Sequence, residues 1–382
     1  VGLSEAHLSR IDAVATAHVE NPDESERIAG AVVLVGCDGN VVYEKAFGYR
    51  AMKPSLEPMT VDSIFDLASL TKPIATSTAL MKLVENGELR LENTLGEALP
   101  THGRHGKAAI TLEQLLRHRS GLVSDNPLSD YRDGVDRAWE RIADLPLLSN
   151  PGEKFTYSDV NFLILGRIVS ERTGGLDSFC NQTIFRPLEM RDTRFFSADD
   201  DTPPETTARV VPTVCDEAGE MLRCRVHDPR ARALGGVAGH AGLFGTANDL
   251  ALFCQMLLND GVGANGVRVL TRESVQSMTS AGQMPEGERR GLGWDIDTPY
   301  STPRGTMGAK SFGHTGFTGT SVWVDPATRS FVIVLTSRLH PDGKGVSPTR
   351  LRRLVGEIAG SAFLAERNDE SGESRAPTGS KR

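Results

Sequence analysis

The sequence predicts an α/β fold in which one antiparallel β-sheet is flanked by N- and C-terminal helices and a mainly helical subdomain is inserted between the two halves of the sheet. Three observations predict it. A helix signal and a hairpin signal open the chain, a hairpin signal and a helix signal close it, and the stretch between reads as helices broken by Gly/Pro-rich loops. The resulting division is an α/β part over about 1–60 and 290–366, a helical part over about 61–289, and a tail from 367 to 382 with no apolar periodicity.

Each element has a local cause. In "SEAHLSRIDAVATAH" Leu8, Ile11, Val14 and Ala15 fall at helical spacing behind Ser4. "IAGAVVLV" and "VVYEKAFGY" are strand-like runs joined by "GCDGN", where Asp38-Gly39 is a tight-turn signal. The middle carries amphipathic runs such as "VNFLILGRIVSERTGG" and "ANDLALFCQMLLNDG". Strand signals return in "GTSVWVDP" and "SFVIVLTSR", with a further candidate in "GLGWDID", and "PTRLRRLVGEIAGSAFLAE" reads as the closing helix. A cleft is expected between the layers.

Composition narrows the function. The chain has 382 residues, 39% hydrophobic and 24% charged, with a net charge of −8, as expected of an ordinary globular protein with a large core. Without a dense Lys/Arg stripe, nucleic acid and anionic membranes are poor partners, and a small molecule or a peptide is the better substrate class. No apolar run approaches the roughly 20 residues of a membrane-spanning helix. The opening "VGLSEAHLSR" carries no basic-then-apolar leader, which leaves periplasmic, extracellular and cytoplasmic locations all open. The five cysteines are scattered without metal-ligand spacing. Cys215 and Cys224 flank a predicted turn and would pair only in an oxidising compartment. Oligomeric state cannot be read from the sequence.

The stretch "FDLASLTKPIATSTALMKLVENGEL" carries the first chemical signal. Ser69 and Lys72 stand three apart at the start of a helical run ending near Asn86-Gly87, so both fall on one face, with the amine in reach of the hydroxyl. A lysine can take a serine proton only if its pKa is depressed by burial or a nearby cation. Alone, such a pair is expected by chance in a chain of this length and reads as a helix cap and a surface lysine. Two further motifs give it company. In "YSDVN", Tyr157 follows a Pro-Gly turn and could relay a proton. In "GHTGFTGTSVWVDP", glycines let the backbone approach a ligand and His314 would line the cleft at a strand.

These motifs, in this order, resemble those of the serine β-lactamase and penicillin-binding-protein superfamily, in its branch near class C enzymes, D-aminopeptidases and β-lactamase-like esterases. "SLTK" is similar to its SxxK motif, "YSD" to Tyr-x-Asn, and "HTG" to Lys-Thr-Gly, with "TLEQLLRHRSGL", "FRPLEMRDTRF" and "GLGW" in support. The resemblance implies the β-lactamase/transpeptidase-like fold and a mechanism without metal or organic cofactor. Ser69 would be the acylated nucleophile, Lys72 the general base and Tyr157 the proton shuttle. The backbone N–H groups of Ser69 and Phe317 would form the oxyanion hole, and Thr315 and Gly316 of the third motif would face substrate.

The departures bear on substrate. His314 replaces a lysine that helps bind a carboxylate in penicillin-targeted relatives. Asp159 replaces the Asn of the second motif and would repel an anionic substrate or pair with Lys72, while Asn161 two residues on is a candidate substitute. "VHDPRARALGGVAGHAGLFGT" resembles a stretch of β-lactamase-like hydrolases of muropeptide recycling, which would put His227, Asp228 and His240 on the substrate side. The expected function is therefore a serine hydrolase acting as an esterase or amidase. A cell-wall peptide hydrolase (muropeptide amidase, D-aminopeptidase or DD-carboxypeptidase) is the alternative within the same chemistry, and a non-catalytic binder of cell-wall fragments is the alternative outside it.

Overall fold

The computed structural model describes residues 5–197, 201–216, 219–282 and 287–370. Strands β1 (Gly30–Cys37) and β2 (Asn40–Ala51) form the opening hairpin. Its turn places Asp38 and Gly39 at φ 46° and 80°, the left-handed pair that a two-residue hairpin turn matching the strand twist requires. In chain order follow β3 (Glu57–Pro58), β4 (Phe65–Asp66), β5 (Arg194–Phe195), β6 (Leu243–Gly245), β7 (Arg289–Arg290), β8 (Asp295–Asp297), β9 (Phe312–Thr315), β10 (Ser321–Asp325) and β11 (Ser330–Thr336). The large sheet runs β3-β2-β1-β11-β10-β9-β8-β7 with antiparallel pairs. The first and last expected hairpins meet in its middle, in register from Ala31 opposite Thr336 to Cys37 opposite Ser330.

The β1 strand is buried along its whole length, and its alternation serves two cores. Val33 and Val35 join Val332 and Trp323 beneath Leu8, Ile11 and Ala15 at the N-terminus and Leu351, Val355 and Ala359 of the closing helix. Val32 and Leu34 join Ile333 and Leu335 in the core of the helical layer. Five helices matter below: α1 (Arg10–Val19), α2 (Thr78–Glu85), α3 (Asp159–Thr173), α4 (Ala247–Leu258) and α5 (Thr349–Glu370). Helix α4 lies against β1 and β11, and α1 and α5 pack together on the opposite face. Each buried Val, Leu or Ile contributes about 1.5–3 kcal/mol, so a charge at Leu34 would disrupt the sheet and the helical layer together.

Some features differ from the sequence reading. The helix expected to begin at Ser69 is a 3-10 turn at Ala68–Leu70, then a π-helical turn at Lys72–Ser77, and only then α2, which closes at Gly87 with φ 74°. A small second sheet, β4-β6-β5, carries no strand signal in the sequence. Helix α5 runs to Glu370, four residues into the expected tail; the rest of that tail, 371–382, lies outside the described residues. The cysteines, which the sequence reading favoured as reduced, are in no disulfide, and the Cys215–Cys224 pairing it left open is not formed. No described helix is long and apolar enough to cross a membrane.

Candidate active site

The short β4 strand leads into the turn that carries Ser69. Asp66 is buried, its Oδ1 accepting from Ala68 N (2.9 Å) and its Oδ2 from His227 N (2.7 Å). Ala68 is thereby held in the left-handed region at φ 47°, a conformation costing a non-glycine residue about 1–3 kcal/mol. Thr71 Oγ1 donates to Ala68 O at 2.6 Å and closes the turn from the other side. The bend presents Ser69 to a cleft of about 610 Å³. Ser69 Oγ accepts from Lys72 Nζ at 2.8 Å, so the hydroxyl is engaged by the amine at the expected spacing.

Lys72 is completely buried. Its Nζ reaches Ser69 Oγ, donates to His240 O at 3.0 Å, lies 2.7 Å from Asp159 Oδ1 and stands 5.2 Å from the centroid of the Tyr157 ring. Burial is the largest single influence on the amine and favours its neutral form. The charges and hydrogen bonds of Asp159 and Tyr157 together outweigh it, so its pKa lies above the ordinary lysine value. This is the reverse of the depression expected for a lysine base, and its cause is the carboxylate at 159. Tyr157 is fixed from below by His118, whose ring stacks on it at 4.5 Å. His118 accepts from Ser158 N through Nδ1, and burial holds it neutral well below the usual histidine range.

The third motif begins on β9 beside the Ser69 turn. A Cβ on Gly316 would stand 2.6 Å from Leu67 O and 2.2 Å from Thr320 Oγ1, so only glycine lets the two segments approach this closely. Thr318 Oγ1 and Thr320 Oγ1 donate to Asp66 O and Leu67 O and tie them together. His314 is buried and neutral. Its Nδ1 lies 2.8 Å from Thr315 O and its Nε2 lies 3.1 Å from Arg290 Nη2. Because a carbonyl only accepts and a guanidinium only donates, the proton sits on Nδ1.

The opposite wall comes from the loop before α4. His240, 1% exposed, lies 3.0 Å through Nε2 from Asp228 Oδ1. Burial opposes the Asp228 charge, but His240 and two backbone N–H groups hold its carboxyl well below the usual carboxylate range. Asp125, paired with Arg230 at 2.9 Å, completes an acidic side, and burial pushes its carboxyl up to about 6. Across the cleft, Arg338 and Arg352 have no carboxylate within ion-pair distance among the described residues, and burial lowers Arg352 to about 9.

The structure thus brings Ser69, Lys72, Tyr157, Asp159, His240, His314, Thr315, Gly316 and Phe317 to one cleft. Asn161 is not among them. It is buried under the second motif, with Oδ1 accepting from Ser120 Oγ at 2.5 Å and its amide facing His118, so it does not reach substrate as expected. Sequence reasoning passed over Asp66, His118, Arg290, Arg338 and Arg352. His118 and Arg290 stand inside or beside stretches whose spacing marked them as structured, "TLEQLLRHRSGL" and "GLGW", but no local pattern says which way a side chain points.

A serine hydroxyl held against a buried lysine, between a helical layer and the third strand of an antiparallel sheet, defines a serine hydrolase of the β-lactamase and penicillin-binding-protein kind. The chain belongs to the Beta-lactamase family, whose model matches residues 15–357. It is 31% identical over 344 residues to a putative D-alanyl-D-alanine carboxypeptidase of Escherichia coli O157:H7, covering 81% of this chain and 79% of that protein. Among solved structures it is similar to EstCE1, a hydrolase with promiscuous acyltransferase activity (24% identity, TM-score 0.70, 92% of this chain and 99% of that one). It is also similar to a class C β-lactamase of Rhodobacter sphaeroides (18% identity, TM-score 0.70, 94% and 99%).

Proposed function

We propose that the chain hydrolyses small esters or amides through an acyl-enzyme on Ser69. The observation that carries this reading is the 2.8 Å contact between Ser69 Oγ and a fully buried Lys72 whose Nζ also stands 5.2 Å from the centroid of the Tyr157 ring. Ser69 Oγ attacks the carbonyl carbon and gives its proton to the Lys72 amine in its neutral form. The N–H groups of Ser69 and Phe317 hold the tetrahedral oxyanion, such donors being worth about 3–4 kcal/mol each. As the C–O or C–N bond breaks, the proton passes through Tyr157 to the leaving group, and water repeats the sequence to release the acid.

Hydrolysis of a short-chain p-nitrophenyl ester by wild type and Ser69→Ala, with intact mass recorded during turnover, tests the reading. Ser69-dependent release with a transient acyl mass is expected. Activity that survives in folded Ser69→Ala would end it.

A second reading, a carboxypeptidase acting on cell-wall peptides, is favoured by Arg338 and Arg352, which offer uncompensated positive charge to a C-terminal carboxylate at the cleft wall. The name of the Escherichia coli relative supports it. Release of D-alanine from a peptide ending in D-Ala-D-Ala, lowered in Arg352→Leu by a larger factor than ester hydrolysis, which Arg352 also serves by donating to Gly316 O and Thr320 O, would separate this reading from the first. An enzyme that spares such peptides and cleaves only esters would exclude it.

A further inference from the structure

The third motif has lost its lysine, yet its cation has not left the site. We propose that Arg290, at the end of β7, is the positioning residue of this motif: it fixes the His314 imidazole through Nε2 and lays a positive charge against Tyr157, the proton shuttle. The inference rests on the acyl-enzyme reading above.

Three observations carry it. Arg290 is 1% exposed but lines the cleft, with Nη2 3.1 Å from His314 Nε2 and its guanidinium carbon 5.5 Å from the centroid of the Tyr157 ring. The charge is incompletely paired. Its one carboxylate neighbour within ion-pair distance among the described residues, Asp295, is 3.8 Å away, and the Asp295 oxygens accept instead from Thr298 Oγ1 and Ser301 Oγ. Finally, Arg290 Nε has no hydrogen-bond partner among the described residues. A buried cation left this far from compensation is costly to the fold and projects its field into the cleft. A residue serving only the core would be better placed against the Asp295 carboxylate.

The groups facing this cation are Asp295 on β8, His314 on β9, Tyr157 and His118 beneath it, Tyr300 and Glu288 at the rim, and Lys72 across from His314. The positive field favours the neutral form of His118 and His314. Without it, negative charge developing on the Tyr157 oxygen during proton transfer loses a stabilising partner, and His314 loses the donor that keeps Nε2 unprotonated and the ring in one orientation.

The test is ester hydrolysis by Arg290→Met, Arg290→Lys and His314→Leu, each with its melting temperature. Arg290→Met is expected to lower kcat by roughly 30-fold with KM nearly unchanged, and to move the acid limb of kcat to higher pH. Arg290→Lys should restore most of kcat and return the limb. His314→Leu leaves Arg290 in place but uncoupled, and should lose part of kcat; if Arg290→Met does not fold, this variant and Arg290→Lys carry the test. A folded Arg290→Met with wild-type kcat and pH profile would overturn the proposal. So would a loss confined to KM, which would make Arg290 a substrate ligand, or a wild-type kcat in His314→Leu. Loss of Ser69-dependence in the parent enzyme would instead fail the acyl-enzyme reading itself.

Discussion

Asp159 Oδ1 lies 2.7 Å from Lys72 Nζ, at the position where the related motif carries an uncharged asparagine. The lysine is completely buried while the aspartate keeps about a quarter of its side chain exposed, 0% against 23%. The carboxylate is therefore open to the cleft and the amine is not, so a substrate entering the cleft would meet Asp159 before Lys72.

The pair should set the pH at which the enzyme works. The pKa of Lys72 is raised, with burial opposing and Asp159 leading the influences that raise it, so the neutral amine that the proposed mechanism needs becomes populated only at higher pH. In Asp159→Asn the amide oxygen can still accept from Nζ, but burial then dominates and favours the neutral amine. The acid limb of kcat/KM for ester hydrolysis is expected to move to lower pH, raising activity near pH 6 by roughly threefold to tenfold. A limb that stays in place or moves upward would show that Lys72 works as a cation.

His118 should matter through geometry and not through titration. It stacks on Tyr157 at 4.5 Å and accepts from Ser158 N, and burial with the Arg290 and Lys72 charges keeps it neutral well below the usual range. His118→Ala is expected to cost about 2–4 kcal/mol of stability and to lower kcat by roughly tenfold or more without changing the shape of its pH profile between 5 and 8. Denaturant melts and a pH–rate series measure both. A changed limb in this range would return a titrating role to His118.

What the sequence shows of this site follows a physical boundary. Ser69 and Lys72 are legible because a helical step of three fixes their relation locally, and β1, β2, β10 and β11 are legible because period-two burial and a turn signal are local too. The β1–β11 pairing, with its partners about 300 residues apart, is suggested only by the matching ends of the chain. Asp66 and His118 leave no signal because their roles exist only once distant segments meet: Asp66 joins the nucleophile turn to His227, and His118 supports Tyr157 from another loop. Asn161 shows the converse. Its nearness in sequence to the second motif suggested a ligand role, yet as the third residue of α3 its side chain turns under the motif toward Ser120.

Asp66 should trade stability for geometry as pH rises. Burial pushes its carboxyl up to about 6, against an ordinary value of 3.8. Between these values the folded state binds more protons than the unfolded, so stability falls as pH rises through the interval, by about 3 kcal/mol in total from this group. Asp66→Asn removes the titration but replaces one of the two accepting oxygens with a donor, leaving Ala68 N or His227 N without its partner. The variant is expected to melt below wild type at pH 4, with the gap narrowing or reversing by pH 7, and to acylate more slowly throughout. Asp125 and Asp249 are also raised, so the informative quantity is the difference between the two proteins at each pH. A constant difference from pH 4 to 7 would mean that Asp66 does not titrate in this range.

The approach of the His240 loop to α3 should be as sensitive as any catalytic side chain. A Cβ on Gly239 would lie 2.0 Å from Phe162 O, and one on Gly166 would lie 2.6 Å from Gly239 Cα; both contacts are with backbone, which cannot yield as a flexible side chain can. The same loop supplies Gly239 O to Thr76 Oγ1 at 2.7 Å and His240 O to Lys72 Nζ at 3.0 Å. Gly239→Ala must therefore push the loop off α3 and carry a Lys72 acceptor with it. A stability loss of about 2 kcal/mol or more is expected together with a fall in kcat, and Gly166→Ala, acting from the helix side of the same contact, should reproduce both. Denaturant melts and ester kinetics on the two variants decide it. If both were stable but slow, the loop's hold on Lys72 would matter beyond packing, whereas two variants indistinguishable from wild type would show that the loop can move without disturbing the lysine.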